Sequence, residues 1–164
     1  MNETDTMALA QRAMPQLKKG AFLTVRASEA INTMTIGWAA FGYCWKRPVL
    51  MVAVRDSRHT YGIMEQAADF TVSVPDPAMQ KALAYCGSHS GRDGDKLAAC
   101  DLKTVETGKT VSPVIDTAGI HFVCRIIHKA PMDPALAADE LTDLYPQKDY
   151  HTLYFGEILD GYER

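Results

Sequence analysis

Six apolar residues in a row, Val49-Leu50-Met51-Val52-Ala53-Val54, constrain this chain more than any other stretch. A half-exposed strand alternates in polarity. A continuous run this short, stopped at once by Arg55-Asp56-Ser57-Arg58, reads as a strand buried on both faces. It has company. Ala21-Phe22-Leu23-Thr24-Val25 reads as a first strand, 32–42 as a second, and 120–128 and 151–159 as two more. Asp69-Phe70-Thr71-Val72-Ser73-Val74 alternates, with Phe70, Val72 and Val74 on one side, and predicts a half-buried strand. Arg26–Ile31 is polar enough for a turn, and Lys46-Arg47-Pro48 for a loop.

Helical patterns are few and short. Ile63, Met64, Ala67 and Ala68 share one face after Thr60. Residues 78–86 place Met79, Leu83 and Cys86 inward, and Asp95 opens another short helix after the Gly87–Gly94 loop. Residues 133–145 fit a short crossover helix or loop. The sum is a mainly β chain: a closed or nearly closed antiparallel barrel with a few short flanking helices. Closure also removes the edges that so many apolar strands would otherwise expose.

A chain of 164 residues, 47% hydrophobic and 23% charged, is long enough for one cored domain. Residues 1–14 read as a flexible, polar lead-in and 15–164 as a single domain. A net charge of -3 leaves no basic footprint for nucleic acid. The N-terminal residues lack the apolar run of a signal peptide or membrane span. Cysteines at 44, 86, 100 and 124 form no CxxC, which fits reduced thiols and a cytoplasmic protein better than a disulfide framework.

The candidate chemistry sits in three stretches. Asn32-Thr33-Met34-Thr35-Ile36-Gly37-Trp38 looks like a strand, yet it carries small and polar residues where a plain core strand would be apolar. Glycine inside a strand pattern often marks a close approach to the backbone. A flat heteroaromatic ligand along this edge, its polar rim read by main-chain groups, is the functional reading. Ser57-Arg58-His59-Thr60 lies where the buried strand passes into a helix, with capping hydroxyls, free N–H groups and a guanidinium that matches a phosphate. An ordinary helix cap with a surface arginine is the competing account. Ser88-His89-Ser90-Gly91-Arg92, followed by Lys96, is a second anion-type loop in which Gly91 lets the backbone approach. A solvated loop is its alternative. Neither is a Walker A loop, and GxGxxG is absent.

Cys86 and His89 have the spacing of two zinc ligands, but no second pair stands at a matching distance. His121 and His128 are seven apart on one strand and face opposite ways. His151 opens the last strand, where a surface histidine is the plain expectation. No Ser-His-Asp or Cys-His grouping emerges from spacing.

Taken in order, the stretch from Asn32 to Trp38, Pro48 with its apolar strand into Ser57-Arg58-His59-Thr60, Phe70 to Val74, Ser90-Gly91-Arg92-Asp93 with Lys96, and Tyr150-His151 before Gly156-Glu157 resemble the flavin reductase-like family, flavoredoxin branch, over residues 15–160. The resemblance implies an FMN-binding split β-barrel, Greek-key-like and homodimeric, with flavin near the subunit interface. It places Asn32 through Trp38 beside the isoalloxazine and ribityl chain. It places Ser57, Arg58 and Thr60 at the 5′-phosphate, and Ser90, Gly91, Arg92 and Lys96 over phosphate and ribityl. His151 matches a histidine that relatives place near the flavin or nicotinamide face, though Tyr150 precedes it here where several relatives have Asp. The implied activity is hydride transfer from NADH or NADPH to FMN, with electrons passed to free flavin, ferric iron or a redox partner protein. No side chain need act as acid or base in the hydride step. A flavoredoxin-type electron carrier without NAD(P)H activity stays open. So does a split barrel with another small ligand such as haem, for which His121, His128 and His151 are candidate ligands.

Overall fold

The computed structural model describes residues 3–164, with side chains inside its first helix from residue 5 onward. Seven strands form one antiparallel sheet in the order β2-β1-β5-β8-β9-β4-β3. They are β1 (Ala21–Ala27), β2 (Ala30–Ile36), β3 (Ala39–Cys44), β4 (Arg47–Arg55), β5 (Asp69–Pro75), β8 (Gly119–Pro131) and β9 (His151–Glu163). A small ribbon pairs β6 (Thr104–Val105) with β7 (Val114–Ile115).

The two ends of the sheet order, β2 and β3, are consecutive in sequence and joined only by Gly37-Trp38. A two-residue link between opposite edges forces the sheet to curl until they meet, which makes the split β-barrel. The expected single strand over 32–42 is therefore two strands with a corner between them. Trp38 keeps the corner tied to the sheet, its carbonyl accepting from Ala53 N at 3.1 Å. Inside the barrel, Leu23, Val25, Leu50, Val52, Val54, Phe70, Phe122 and Tyr154 are sealed from solvent.

The expected lead-in over 1–14 is a helix instead. α1 spans Glu3–Leu17, and residues 1–2 lie outside the described residues. Thr6, Ala10, Ala13 and Leu17 form its buried stripe at helical spacing. Small and hydroxylated residues make that stripe, so it shows no apolar periodicity in the sequence. Arg12 closes the helix onto β9 by donating to both oxygens of Glu163, at 2.5 and 2.6 Å.

Two turns are tighter than expected. Ser28 and Glu29 alone separate β1 from β2, and Trp45 and Lys46, at φ 51° and 60°, alone separate β3 from β4. Two left-handed residues in succession are what a two-residue hairpin requires. β5 is buried along its whole length rather than on one face. The segment 111–115 covers its outer side: Asp69 accepts from the N–H groups of Val111 and Ser112, and Thr71 donates to the Pro113 carbonyl. The helices α2 (His59–Met64), α3 (Gln80–Ser88) and α4 (Lys96–Ala99) pack beside β2. Residues 134–136 and 139–144 form 3-10 turns rather than a crossover helix.

Candidate functional site

The pairing of β4 with β9 sets Arg55 opposite His151, at the strand ends nearest the Gly37-Trp38 corner. Three segments distant in sequence thus converge. They line a cavity of about 180 Å³ with Met34, Thr35, Ile36, Gly37, Trp38 and His151 among its walls. A second cavity of about 250 Å³ lies between β2, the start of α2 and the loop after α3. The two share Met34, Arg58 and Gly87, so they form one continuous cleft along the outer edge of β2. As an end strand of the sheet, β2 has one edge unpaired by any strand, and its main-chain groups are available there.

The second cavity is cationic. Lys96, buried on the first turn of α4, donates to the Cys86 carbonyl at 3.0 Å and has no carboxylate partner among the described residues. Burial pulls its ammonium below the usual lysine range; Cys86 opposes that shift and Arg58 adds to it. Arg58, exposed where the two cavities meet, has no side-chain hydrogen bond or ion pair among the described residues. Arg92 joins the two loops by donating to the Ser57 carbonyl at 3.0 Å. Burial, then the neighbouring Cys100, pushes the Cys86 thiol up to about 12, so this cavity-lining thiol stays protonated near neutrality.

Asn32 organises the contact between the loops. Its amide nitrogen donates to Thr60 Oγ1 at 2.8 Å, both side chains being buried. The loop passes over it at Gly91, where a Cβ would stand 2.6 Å from Asn32 Oδ1 and 2.6 Å from His59 Cδ2. Only glycine fits that crossing without displacement.

Not every candidate turns toward the cleft. Thr33 points inward, its hydroxyl between Thr24 Oγ1 and the Leu23 carbonyl. Thr35 lines the first cavity but commits its hydroxyl to the Leu83 carbonyl at 2.6 Å. Ser57 gives its N–H and hydroxyl to Asp149, at 3.3 and 2.7 Å. Ser88 caps its own helix through the Ala84 carbonyl, and His89 stacks on Tyr85 with centroids 3.8 Å apart. Ser90 accepts from Arg92 N–H. Asn32, Ser57, Arg58, His59, Thr60, Ser88, His89, Ser90, Gly91, Arg92 and Lys96 all line the second cavity.

His151 is buried, not a surface histidine. Its ring packs on Trp38 with centroids 4.7 Å apart, and its Nδ1 lies 2.8 Å from the Tyr145 hydroxyl. Burial first, then Arg55, lowers its pKa to about 4, with Asp149 and Asp56 opposing and Arg58 adding. His121 and His128 are elsewhere. His121 is held between Ser73 and the Thr117 carbonyl, and His128 packs on Trp45 and Phe155. Neither lines the cleft, so of the three histidines considered for haem only His151 does.

Sequence reasoning missed Ala53, Arg55, Tyr145 and Asp149. Tyr145 sits in the segment read as a connection. Arg55 lies over its ring at 5.1 Å and donates to the Leu144 and Asp149 carbonyls, pinning that segment beside the first cavity. The clustering of Tyr145, Tyr150 and His151 within seven residues is the one sequence signal that pointed there.

This architecture has known counterparts. The flavin reductase like domain profile matches residues 18–164. An uncharacterised protein of Archaeoglobus fulgidus is 28% identical over 138 residues, covering 84% of this chain and 68% of the relative. The flavoredoxin of Desulfovibrio vulgaris (Miyazaki F) superposes with a TM-score of 0.70 at 23% identity, over 88% of this chain and 69% of that one. A Streptomyces globisporus NADH:FAD oxidoreductase superposes with a TM-score of 0.67 at 18% identity, over 88% and 75%. At these identities the structural matches establish the split-barrel fold, and the profile match, covering most of the chain, establishes more: the chain belongs to the flavin reductase-like domain family.

Proposed function

We propose that the cleft binds FMN, and that the protein is an oxidoreductase passing hydride from NADH or NADPH through that flavin to an acceptor. Family membership supports a flavoprotein at the coarse level. The observation that carries the reading to FMN is the buried Lys96, without a carboxylate partner among the described residues, beside the unpartnered Arg58. A buried cation without a counter-ion is costly. A ligand phosphate would supply the missing charge, and charge-assisted bonds from ammonium and guanidinium are its natural partners. The first cavity, walled by Trp38, Ala53 and His151, suits a flat ring, and the outer edge of β2 offers N–H and C=O groups to its polar rim.

When bound, the flavin would supply two-electron chemistry, accepting and releasing hydride at its ring. The residues of this chain do the rest. Lys96, Arg58 and Arg92 hold the phosphate end, and the Arg92–Ser57–Asp149 link fixes the two loops against each other. Trp38 and His151 close one side of the ring cavity and leave room for a second substrate in the open mouth. Free flavin, ferric iron or a redox protein would accept the electrons. Homodimerisation belongs to the same reading, supported by exposed Tyr43 on edge strand β3 and exposed Trp45 in the tight turn that follows it.

The test is an anaerobic stopped-flow mix of FMN-loaded protein with NADH and with NADPH. Rapid bleaching of the flavin band by either establishes the reductase and names its donor. Reduction by dithionite alone would replace this reading with that of an electron carrier.

A further inference from the structure

The second anion loop runs from α3 into α4, and a cysteine stands on each helix. Cys86 lies in the last turn of α3, and Cys100 caps the C-terminus of α4. The residues between them, 87–99, carry Ser88, His89, Ser90, Gly91, Arg92 and Lys96. The two thiols are in hydrogen-bond contact with each other. Both side chains join the cluster of Phe22, Leu83, Leu102 and Ile115 that packs α3 against α4. Lys96 ties the pair a second time. Its ammonium donates to the Cys86 carbonyl at 3.0 Å, and its own carbonyl accepts from the Cys100 N–H at 3.2 Å.

The two sulfurs differ in access. Cys86 is 1% exposed and lines the cationic cavity. Cys100 is half-buried and opens onto a separate surface groove of about 370 Å³ beside Met79, Ala82 and Tyr85. The helices differ in anchorage. α3 is fixed on β2, where Thr35 donates to the Leu83 carbonyl at 2.6 Å and a Cβ on Gly87 would stand 3.3 Å from Thr35 Cβ. α4 is a single turn of four residues. A helix that short is not stable by itself, so its contacts with α3 keep Lys96 in place.

We propose that Cys86 and Cys100 are a reversible dithiol–disulfide pair, oxidised by hydrogen peroxide that enters at Cys100, and that the disulfide staples the base of the 87–99 loop over the bound phosphate. The stapling of a phosphate rests on the FMN reading of the cleft; the disulfide does not. In the first step Cys100 Sγ attacks a peroxide oxygen, the O–O bond breaks, and the thiol proton leaves with the departing oxygen as water. In the second, Cys86 Sγ attacks the Cys100 sulfenic acid. The S–S bond forms, the S–O bond breaks, and the Cys86 proton leaves with hydroxide as water. The thiols lose an electron pair and the peroxide gains it. Burial disfavours the attacking Cys86 thiolate, while Lys96, close to both sulfurs, favours it. Direct contact between the sulfurs adds proximity.

The test uses the full chain carrying Cys44→Ser, which removes the exposed thiol from the reaction. Trypsin cuts after Arg92 and Lys96, so Cys86 and Cys100 leave on separate peptides unless bonded. After stoichiometric hydrogen peroxide, mass spectrometry is expected to find those peptides joined, and dithiothreitol is expected to part them. Thiols left free, or oxidised singly to sulfinic acid, would overturn the inference. Adding Cys86→Ser tests the point of entry: dimedone, which captures sulfenic acids, is expected to label Cys100. An unlabelled Cys100 would overturn its role as the first site of attack.

FMN release is followed by fluorescence recovery on dilution. The disulfide form is expected to release FMN about tenfold more slowly than the dithiothreitol-treated form, because a staple at the loop's base limits its opening. With Cys100→Ser added, the two treatments are expected to give the same rate. Equal or faster release from a verified disulfide form would overturn the staple. Absence of bound FMN in both forms would contradict the proposed function instead, and the peptide map would still decide the disulfide.

Discussion

Gly91 crosses Asn32 so closely that a Cβ on the glycine would lie 2.6 Å from the amide oxygen. Asn32 cannot yield freely, since its other amide atom is bonded to buried Thr60. Gly91→Ala should therefore push the 89–95 loop off β2 rather than unfold the barrel. The expected result is weaker FMN binding by about tenfold or more, with thermal stability changed by only about 1 kcal/mol, as for a mobile loop. Fluorescence titration and thermal melts on the same sample check it. A large stability loss with unchanged affinity would place the crossing outside the site.

Lys96→Met should separate stability from binding. The buried ammonium is held at a cost in the ligand-free protein, as the downward shift of its pKa shows. Replacing it with an apolar chain of similar length relieves that cost. Ligand-free stability is expected to hold or rise. FMN affinity is expected to fall by about 1.5–3 kcal/mol, the loss of one charge-assisted bond to phosphate. Calorimetric unfolding and an FMN titration give both signs. Losses of stability and binding together would mean that Lys96 is a structural strut.

The strands were legible in the sequence because barrel strands of this kind are nearly continuous in apolar residues, as Val49–Val54 and the run after Gly119 show. What was hidden was non-local. Nothing in Gly37-Trp38 announces that β2 and β3 stand at opposite ends of the sheet order. Closure is a property of all seven strands together. α1 was hidden for a different reason, its buried stripe being Thr6, Ala10, Ala13 and Leu17. At the site, Ser, Arg and Lys residues in two loops were visible as anion-type chemistry. Yet the sequence could not show that Ser57 spends its donors on Asp149, or that Thr33 turns inward. Tyr145 was missed because its partner in the cavity wall, Trp38, is far away in sequence.

His151 sets a pH dependence. Its folded pKa, about 4, lies below the ordinary histidine value of 6.5. Above 6.5 the imidazole is neutral in both states and contributes nothing. As pH falls from 6.5 toward 4, the unfolded chain takes up a proton that the folded one refuses, and stability declines. The expected loss attributable to His151 is on the order of 3 kcal/mol by pH 4. Buried His121, whose pKa burial also lowers, adds a slope of the same sign. Denaturant midpoints of wild type and His151→Gln between neutral and acidic pH isolate the His151 part. Equal slopes would contradict the burial assigned to that ring.

Arg58→Ala should discriminate between ligands. Its guanidinium borders both cavities and has no side-chain hydrogen bond or ion pair among the described residues. Its loss should therefore leave the fold intact. Affinity for FMN is expected to fall by about tenfold, with riboflavin affinity nearly unchanged, because only the former carries the phosphate. Equal losses for the two would remove Arg58 from the phosphate site.

The most direct test of the central claim is the affinity of the wild-type protein for FMN against riboflavin, measured by isothermal calorimetry in one buffer. A phosphate seated between buried Lys96 and Arg58 predicts FMN tighter by about two orders of magnitude, the worth of two charge-assisted contacts. Equal affinities would show that no phosphate enters the cationic cavity and would contradict the account.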